Sequence, residues 1–163
     1  MPARRVPPVE MLGRSIGRTS KFVRSWADRE LAPIGATVTE FVLLFHVGAA
    51  AAPGMSQTEV ARFADMGGPA LVRHLDRMEI DGVLVRTRDE SDRRVVRVTL
   101  TDVGRNRLAE LQQVMARCDR QLRSLLSEEE AAVMQQALDK LFDFTLGQLH
   151  GAPTPVRSTR SSR

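Results

Sequence analysis

A charged hairpin tip between two β-branched runs is the part of this chain with the clearest chemistry. The runs Val83–Thr87 and Val95–Leu100 predict two strands. The tip between them, Arg88–Arg94, is too long and too charged for a two-residue turn. Asp92 and Arg94 are two apart, so on an extended strand they share a face, where the carboxylate could hold the guanidinium by bidentate hydrogen bonds. An arginine oriented on a thin ribbon suits the DNA minor groove, where negative potential is concentrated.

Two short helices across a tight turn are predicted just before this hairpin. The motif Ser56–Glu59 is a capping box, in which hydroxyl and carboxylate satisfy backbone N–H groups reciprocally, and it starts a helix to about Ala64. Residues Asp65–Gly68 predict a turn, and Pro69 suits the first turn of a new helix. The core face of that helix carries, at i, i+4 and i+7, Leu71, Leu75 and Met78. A helix-turn-helix followed by a hairpin is a winged helix.

The second helix of a helix-turn-helix lies in the major groove, with its N-terminal residues at base edges. Arg73 is the predicted guanine contact, because arginine to O6 and N7 is the commonest specific pairing; a phosphate contact is the alternative. Ser56 and Gln57 are predicted phosphate ligands, with helix capping as the alternative role of Ser56. The predicted DNA-binding residues are Ser56, Gln57, Gly68, Pro69, Ala70, Arg73, Arg77, Arg88, Asp92, Arg93 and Arg94.

Long amphipathic helices are predicted on both sides of the winged helix. The first covers residues 9–31, and a second capping box, Thr37–Glu40, starts the next. After the hairpin, apolar residues three and four apart from Leu108 to Leu125 form a heptad-like seam. A third box, Ser127–Glu130, opens a last helix to about residue 150. We therefore expect a mostly α-helical single domain over residues 9–150 with a small β-hairpin wing.

The composition excludes several other classes of protein. The 163 residues carry a formal net charge of +4 and a single cysteine, Cys118, so no intramolecular disulfide can form. No apolar run spans a membrane and no signal peptide is visible, so we expect a cytoplasmic protein. The three histidines are scattered and no catalytic motif occurs, so we predict no metal, no cofactor and no enzyme activity. Residues 1–8 and 151–163 are predicted to be mobile tails.

The wing carries a recognisable motif. It consists of Asp92-Arg93-Arg94, five residues, Leu100-Thr101, two residues and Gly104. This motif resembles the wing of the MarR family of winged-helix transcriptional regulators. The segment LVRHLDRMEIDGVLVR, residues 71–86, resembles the recognition helix of that family and its exit into the wing. The resemblance covers about residues 12–149 and implies a regulator, most often a repressor, that binds a pseudo-palindrome in double-stranded DNA.

The resemblance also implies a homodimer built from the N- and C-terminal helices, residues 9–36 and 102–150, around a DNA-binding lobe, residues 37–101. An intramolecular bundle is the alternative. The predicted interface residues are Leu12, Ile16, Met134, Leu138 and Leu141. Many relatives bind a small aromatic or lipophilic effector, and the residues that could line such a cavity here, unless they are ordinary core, are Phe22, Trp26, Phe45 and His46.

The recognition helix departs from the family pattern. Asp65 occupies the position of the turn glycine, and Gly67-Gly68-Pro69 replaces the hydroxyl residues that usually contact DNA. Direct base reading in the first helical turn is therefore expected to be sparse, with DNA shape and the wing carrying more of the specificity. One rival interpretation is a dimeric interaction module with a degenerate reading helix. A second is a redox sensor using Cys118, although its place on an apolar seam favours a buried core residue.

Overall fold

A computed structural model of the chain describes residues 11–150, so both predicted tails lie outside the described residues. The helices and strands are α1 (Leu12–Leu31), continued by a short 3-10 helix (Ala32–Ile34), α2 (Val38–Ala49), β1 (Met55–Ser56), α3 (Gln57–Phe63), α4 (Gly68–Ile80), β2 (Leu84–Arg88), β3 (Val96–Leu100), α5 (Asp102–Arg123) and α6 (Glu128–His150). The chain divides into two compact units between Cys118 and Asp119. The first unit holds the winged helix, which confirms the predicted fold class.

The wing is a three-stranded antiparallel sheet in the order β1-β3-β2. The hairpin pairs Leu84 with Leu100 and Arg88 with Val96, so Arg88 ends a strand and does not belong to the tip, contrary to the prediction. The two-residue strand β1 was not predicted, because Met55 and Ser56 are too few to show a period. Met55 pairs with Val98, and this joins the start of α3 to the base of the wing.

The core of the first unit lies between the sheet and helices α1 to α5. The predicted apolar face of α4 is buried, as are apolar residues from every neighbouring element. The largest fully buried side chains are Leu31, Leu43, Leu44, Leu71, Leu75, Leu84, Leu111, Val60 and Val98. This packing fixes the direction of α4 relative to the wing, and therefore which of its side chains face outward.

Gly104 is required where α5 begins. A Cβ at this position would lie 1.9 Å from the Val83 carbonyl oxygen, closer than any side chain allows. The Thr101 hydroxyl supports the same junction, since it donates to the Gly82 carbonyl at 2.6 Å and accepts from the Gly104 N–H at 3.0 Å. The Leu-Thr-x-x-Gly part of the wing motif is thus a tight joint between the hairpin and α5.

Two of the three predicted capping boxes are complete. Ser56 and Glu59 exchange hydrogen bonds of 3.2 and 2.8 Å at α3, and Ser127 and Glu130 do the same at α6. At α2 only half of the predicted box forms: the Thr37 hydroxyl accepts from the Glu40 N–H at 3.2 Å. The Glu40 carboxylate instead accepts from Nε of Arg107 on α5 at 2.8 Å. A long-range ion pair has therefore replaced the local hydrogen bond.

The predicted seam on α5 is buried only in its first part. Leu111 and Cys118 are buried, whereas Leu122 and Leu125, in the second unit, are exposed. Val114 is also buried, although it lies outside the predicted seam. The seam is therefore buried up to the boundary at Cys118, and its apolar residues beyond that point are exposed among residues 11–149.

Candidate nucleic-acid interface

A groove on the first unit brings three elements together. Its volume is about 580 Å³, and it lies between the start of α3, the start of α4 and the tip end of the wing. Four of the predicted DNA-binding residues line it: Ser56, Gln57, Gly68 and Arg94. The fold thus places residues that are distant in sequence on one concave surface.

Helix α4 presents its arginines outward, as its apolar period predicted. Arg73 is exposed and has no hydrogen-bond or ion-pair partner among residues 11–150. Arg77 is also exposed, but its Nε lies 2.8 Å from Oδ2 of Asp81, one turn further along. Arg73 can therefore contact DNA without losing an existing interaction, whereas Arg77 must share or break an ion pair.

The start of α4 is open. Gly67 is the N-cap and offers no side-chain hydrogen bond, and Pro69 lies in the first turn. A Cβ built at Gly67 or Gly68 would meet no atom within 4 Å, so the fold itself does not require glycine at either position. Just before them Asp65 has a φ of 49°, the left-handed conformation expected at the turn-glycine position, which aspartate tolerates. Ala70 is half-buried beneath this surface.

Ser56 is occupied by helix capping, which was the alternative role for it. Its hydroxyl accepts from the Glu59 N–H, and its own N–H donates to the Glu59 carboxylate. Hydrogen bonds from the side chain and the backbone of Ser56 to the Glu59 carboxylate lower the pKa of Glu59, so the carboxylate stays ionised. Neither Gln57 nor Thr58 has a side-chain hydrogen bond to another described residue, and both line the groove.

At the wing tip the predicted pairing of Asp92 with Arg94 is wrong in its geometry. Residues 92–94 form a turn and not an extended strand. Oδ1 of Asp92 accepts from the backbone N–H of Arg94 at 3.0 Å, and the nearest guanidinium nitrogen is 3.8 Å away. The Arg94 side chain is 96% exposed. Asp92 therefore fixes the backbone at Arg94 and leaves the guanidinium free.

Arg88 and Arg93 are linked at the same tip. Nη1 of Arg88 donates to the Arg93 carbonyl at 3.0 Å, so Arg88 closes the turn from the end of β2. The Arg93 side chain is exposed and has no partner among the described residues. The wing tip thus presents Arg93 and Arg94 to solvent, with Arg88 as a support.

A buried carboxylate inside the wing was not predicted as a site residue. Asp89 is the one buried charged side chain among the described residues. Oδ2 of Asp89 accepts from Nε of Arg97 on β3 at 2.7 Å, and Oδ1 accepts from the N–H groups of Ser91 and Asp92. Hydrogen bonds from Ser91 and Arg97 hold the pKa of Asp89 far below its usual range. The sequence signal was Arg97, the one charged residue of β3.

A second unpredicted cluster joins the base of the wing to α4. Nε of Arg86 on β2 donates to Oε2 of Glu79 at 3.0 Å, and its Nη2 also bonds to Asp76. The N–H of Arg86 donates to Oε1 of Glu79 at 3.0 Å. The ion pair raises the pKa of Arg86 and lowers that of Glu79. The arginine therefore ties the wing to the recognition helix and is not available for DNA.

The four predicted effector residues lie on the first two helices of this unit. Phe22 is 65% exposed on α1, and Phe45 is partly exposed on α2. The rings of Phe45 and His46 meet edge to face at 5.7 Å, and His46 stacks on Phe63 of α3 at 5.0 Å. Burial lowers the pKa of His46. Trp26 is half-buried on α1, and two further cavities in this unit, of about 400 and 280 Å³, are lined by other residues.

The predicted dimerisation residues are at least partly exposed. On α1, Leu12 is exposed and Ile16 is half-buried. On α6, Met134 and Leu138 are exposed and Leu141 is half-buried. No residue of α6 is buried up to residue 149, although the helix carries several large apolar side chains.

Cys118 is buried on α5, and burial raises the pKa of its thiol, with the charge of Glu30 adding to the effect.

Over residues 11–150 no group of three or more histidine, cysteine or acidic side chains could hold a metal ion. Within the same residues no single helix is long and apolar enough to cross a membrane. The bent pair of Leu12–Ile34 and Val38–Ala49 reaches that length and composition only jointly, across an angle of 85°.

The helix-turn-helix, the outward arginines of α4 and the arginine-tipped wing define a winged-helix DNA-binding protein. A model of the MarR family matches residues 34–95. The chain is 31% identical to the transcriptional repressor CouR, solved on a 23-mer DNA duplex, with a TM-score of 0.73 over 85% of this chain and 99% of CouR. This chain belongs to the MarR family of transcriptional regulators.

Two further solved structures show the same likeness. S. aureus MepR, solved in complex with DNA, is 25% identical with a TM-score of 0.70 over 84% of this chain and 98% of MepR. A MarR family protein of Mycobacterium tuberculosis, solved with p-aminosalicylic acid, is 27% identical with a TM-score of 0.67, over 80% of this chain and 98% of that one.

Proposed function

We propose that this regulator is a homodimeric repressor that binds a pseudo-palindromic operator in double-stranded DNA. The observation that carries the proposal is the groove lined by the start of α3, the start of α4 and Arg94, because one concave surface there combines polar groups, helix N–H groups and a free arginine. CouR and MepR were both solved with DNA, which supports double-stranded DNA as the partner.

The two arginine-bearing elements have different roles in this proposal. Helix α4 enters the major groove, where Arg73 contacts a guanine, and the wing places Arg93 and Arg94 over the minor groove. Arg77 and Arg88 contact phosphates, since their ion pair and hydrogen bond hold them close to the surface. The bare start of α4 lets the DNA backbone approach the helix, because Gly67 and Gly68 have no side chain in the way.

A homodimer explains the apolar surface of the helices outside the winged helix. Leu12 on α1 and Leu138 on α6 would each be covered by a partner chain in such a dimer. A dimer also places two winged helices on two half-sites about one helical turn apart, which a pseudo-palindrome requires.

A small aromatic or lipophilic effector would release the repressor by favouring spacings of the two winged helices that do not fit DNA. The complex of the M. tuberculosis relative with p-aminosalicylic acid supports this class of ligand. The stacking of His46 on Phe63 supports a site near Trp26, Phe45 and His46, because it links α2 to α3, the first helix of the helix-turn-helix.

The two rival functions have less support. A degenerate reading helix agrees with Gly67 and Gly68, but the free arginines of α4 and the wing would then have no role. A redox sensor needs an accessible thiolate, whereas the Cys118 thiol is buried with a raised pKa.

The proposal is tested by selecting bound sequences from genomic DNA and measuring affinity for the recovered site by fluorescence anisotropy. We expect a pseudo-palindrome, weak binding to a single half-site, and a steep decrease of affinity with salt. A protein that recovers no common sequence, or that binds a half-site as tightly as the full site, contradicts the proposal. Sedimentation of the free protein at micromolar concentration tests the dimer separately.

A further inference from the structure

We infer that Asp89 and Arg97 are positioning residues that hold the wing-tip arginine, Arg94, at a fixed position relative to the helix-turn-helix. Neither residue is among the predicted DNA contacts. The inference rests on the proposed contact between the wing and DNA.

The backbone of the turn fixes the wing tip. Asp92 makes no hydrogen bond to the Arg94 guanidinium, which is 96% exposed and has its Nε 3.8 Å from Oδ1 of Asp92. It fixes only the Arg94 N–H, so the place of Arg94 depends on the backbone of the turn. That backbone folds around Asp89, whose Oδ1 accepts from the N–H groups of Ser91 and Asp92 at 2.9 and 3.1 Å.

Arg97 fixes the Asp89 carboxylate. Its buried carboxylate is neutralised by Arg97, which is held in turn from the opposite side. Nη1 of Arg97 donates to the Gly54 carbonyl at 3.3 Å and lies 3.8 Å from Oε2 of Glu59. A buried carboxylate without its cation would be costly, so the turn cannot keep this arrangement when Arg97 is removed.

The contacts of Glu59 join the wing tip to the groove. Oε2 of Glu59, next to Arg97, also accepts from the N–H of Ser56, the cap of α3. A continuous chain of polar contacts therefore runs from the turn through Asp89, Arg97 and Glu59 to Ser56, which lines the same groove as Arg94. This chain sets the distance between the wing tip and the start of α3, and both must fit DNA together.

A double-mutant cycle on operator affinity tests whether Arg97 acts through Arg94. We expect Arg94→Ala and Arg97→Ala each to weaken binding roughly tenfold or more. If Arg97 only positions Arg94, the double variant should bind within about twofold of Arg94→Ala alone. Arg97→Lys should restore little, because a lysine cannot reach Asp89 and the Gly54 carbonyl with a planar fork. Arg105→Ala is the control for losing one arginine, since its partners are the Leu100 carbonyl and Asp102 at the start of α5.

Hydrogen exchange of the free protein gives a readout without DNA. In Arg97→Ala the amides of Ser91 and Asp92 should exchange faster than in wild type, and in Arg94→Ala they should not change. Additive losses of affinity, or unchanged exchange in Arg97→Ala, overturn the inference. If Arg94→Ala alone binds the operator like wild type, the wing contact of the proposed function is wrong, and the inference fails with it.

Discussion

The apolar surface of α6 gives the sharpest test of the proposed assembly. The large apolar side chains exposed on this helix are Val133, Met134, Leu138, Phe142, Phe144 and Leu149. If a partner chain covers this surface, Leu138→Asp places a carboxylate in an apolar contact where it has no counter-charge. We expect the variant to be monomeric at concentrations at which the wild type is a dimer.

The size of the effect follows from the exposure of Leu138, whose surface is 42% accessible in the single chain. Full burial of a leucine is worth about 1.5–3 kcal/mol, so covering this fraction contributes about 0.6–1.2 kcal/mol per chain. Leaving a carboxylate unpaired in the contact costs at least about 2 kcal/mol more per chain. Counted twice for a two-fold interface, the loss is about 5–6 kcal/mol, or roughly 4,000- to 20,000-fold in the dissociation constant.

Sedimentation equilibrium over nanomolar to micromolar concentrations measures this shift. The matched control is Gln136→Asp, because two residues along an α-helix is a rotation of about 200° and so places the same charge on the other side of α6. Circular dichroism should show equal helix content in both variants. A Leu138→Asp protein that dimerises as tightly as Gln136→Asp would refute the assignment of this surface to the dimer.

The remaining predictions concern single residues of the first unit. Arg94→Ala should weaken operator binding by about 1–3 kcal/mol per head in anisotropy titrations, without lowering the unfolding temperature, since its side chain has no close partner in the free protein. Arg73→Ala should flatten the preference for one symmetric pair of bases in operator variants; equal losses on every variant would assign Arg73 to a phosphate. Gly54→Ala should destabilise the fold by at least about 1–3 kcal/mol in denaturant titrations, because φ is +98° and a Cβ would lie 2.4 Å from the Thr99 side chain. Cys118→Ser should leave operator binding insensitive to mild peroxide, as in wild type; release of the wild type alone by peroxide would revive the redox sensor.

The parts of the fold that local physics determines were predictable from the sequence. The box at Ser56 and Glu59 is complete because its partners are three residues apart, and the distant Arg97 stays 3.8 Å from Oε2 of Glu59 without displacing the hydrogen bond to Ser56. The apolar face of α4 is buried as its period predicted, and this correctly turned Arg73 outward. The order of residue types along the chain is therefore enough to place the helix-turn-helix and the hairpin.

The parts that depend on distant partners were not predictable in the same way. Glu40 leaves its capping box for Arg107, 67 residues later, and no local pattern announces this competition. The pairing of Arg97 with Asp89 crosses the hairpin and depends on its register. Asp92 was the expected partner of a wing arginine because it is near Arg94 in sequence, whereas the buried Asp89 is the carboxylate that forms a close ion pair, with Arg97.

Five arginines of the winged helix fall into two groups that composition alone cannot separate. Arg86 and Arg97 are held by carboxylates and lie mostly out of solvent, so their charge acts inside the protein on the shape of the wing. Arg73, Arg93 and Arg94 have no close side-chain partner among the described residues, and their positive charge faces outward. An arginine enclosed by its carboxylates gains little from a phosphate, whereas an exposed arginine without a close partner gains the whole interaction, and the exposed Arg77 can share its ion pair with Asp81. Affinity for DNA should therefore follow the second group, and the first should matter only through where it places the second.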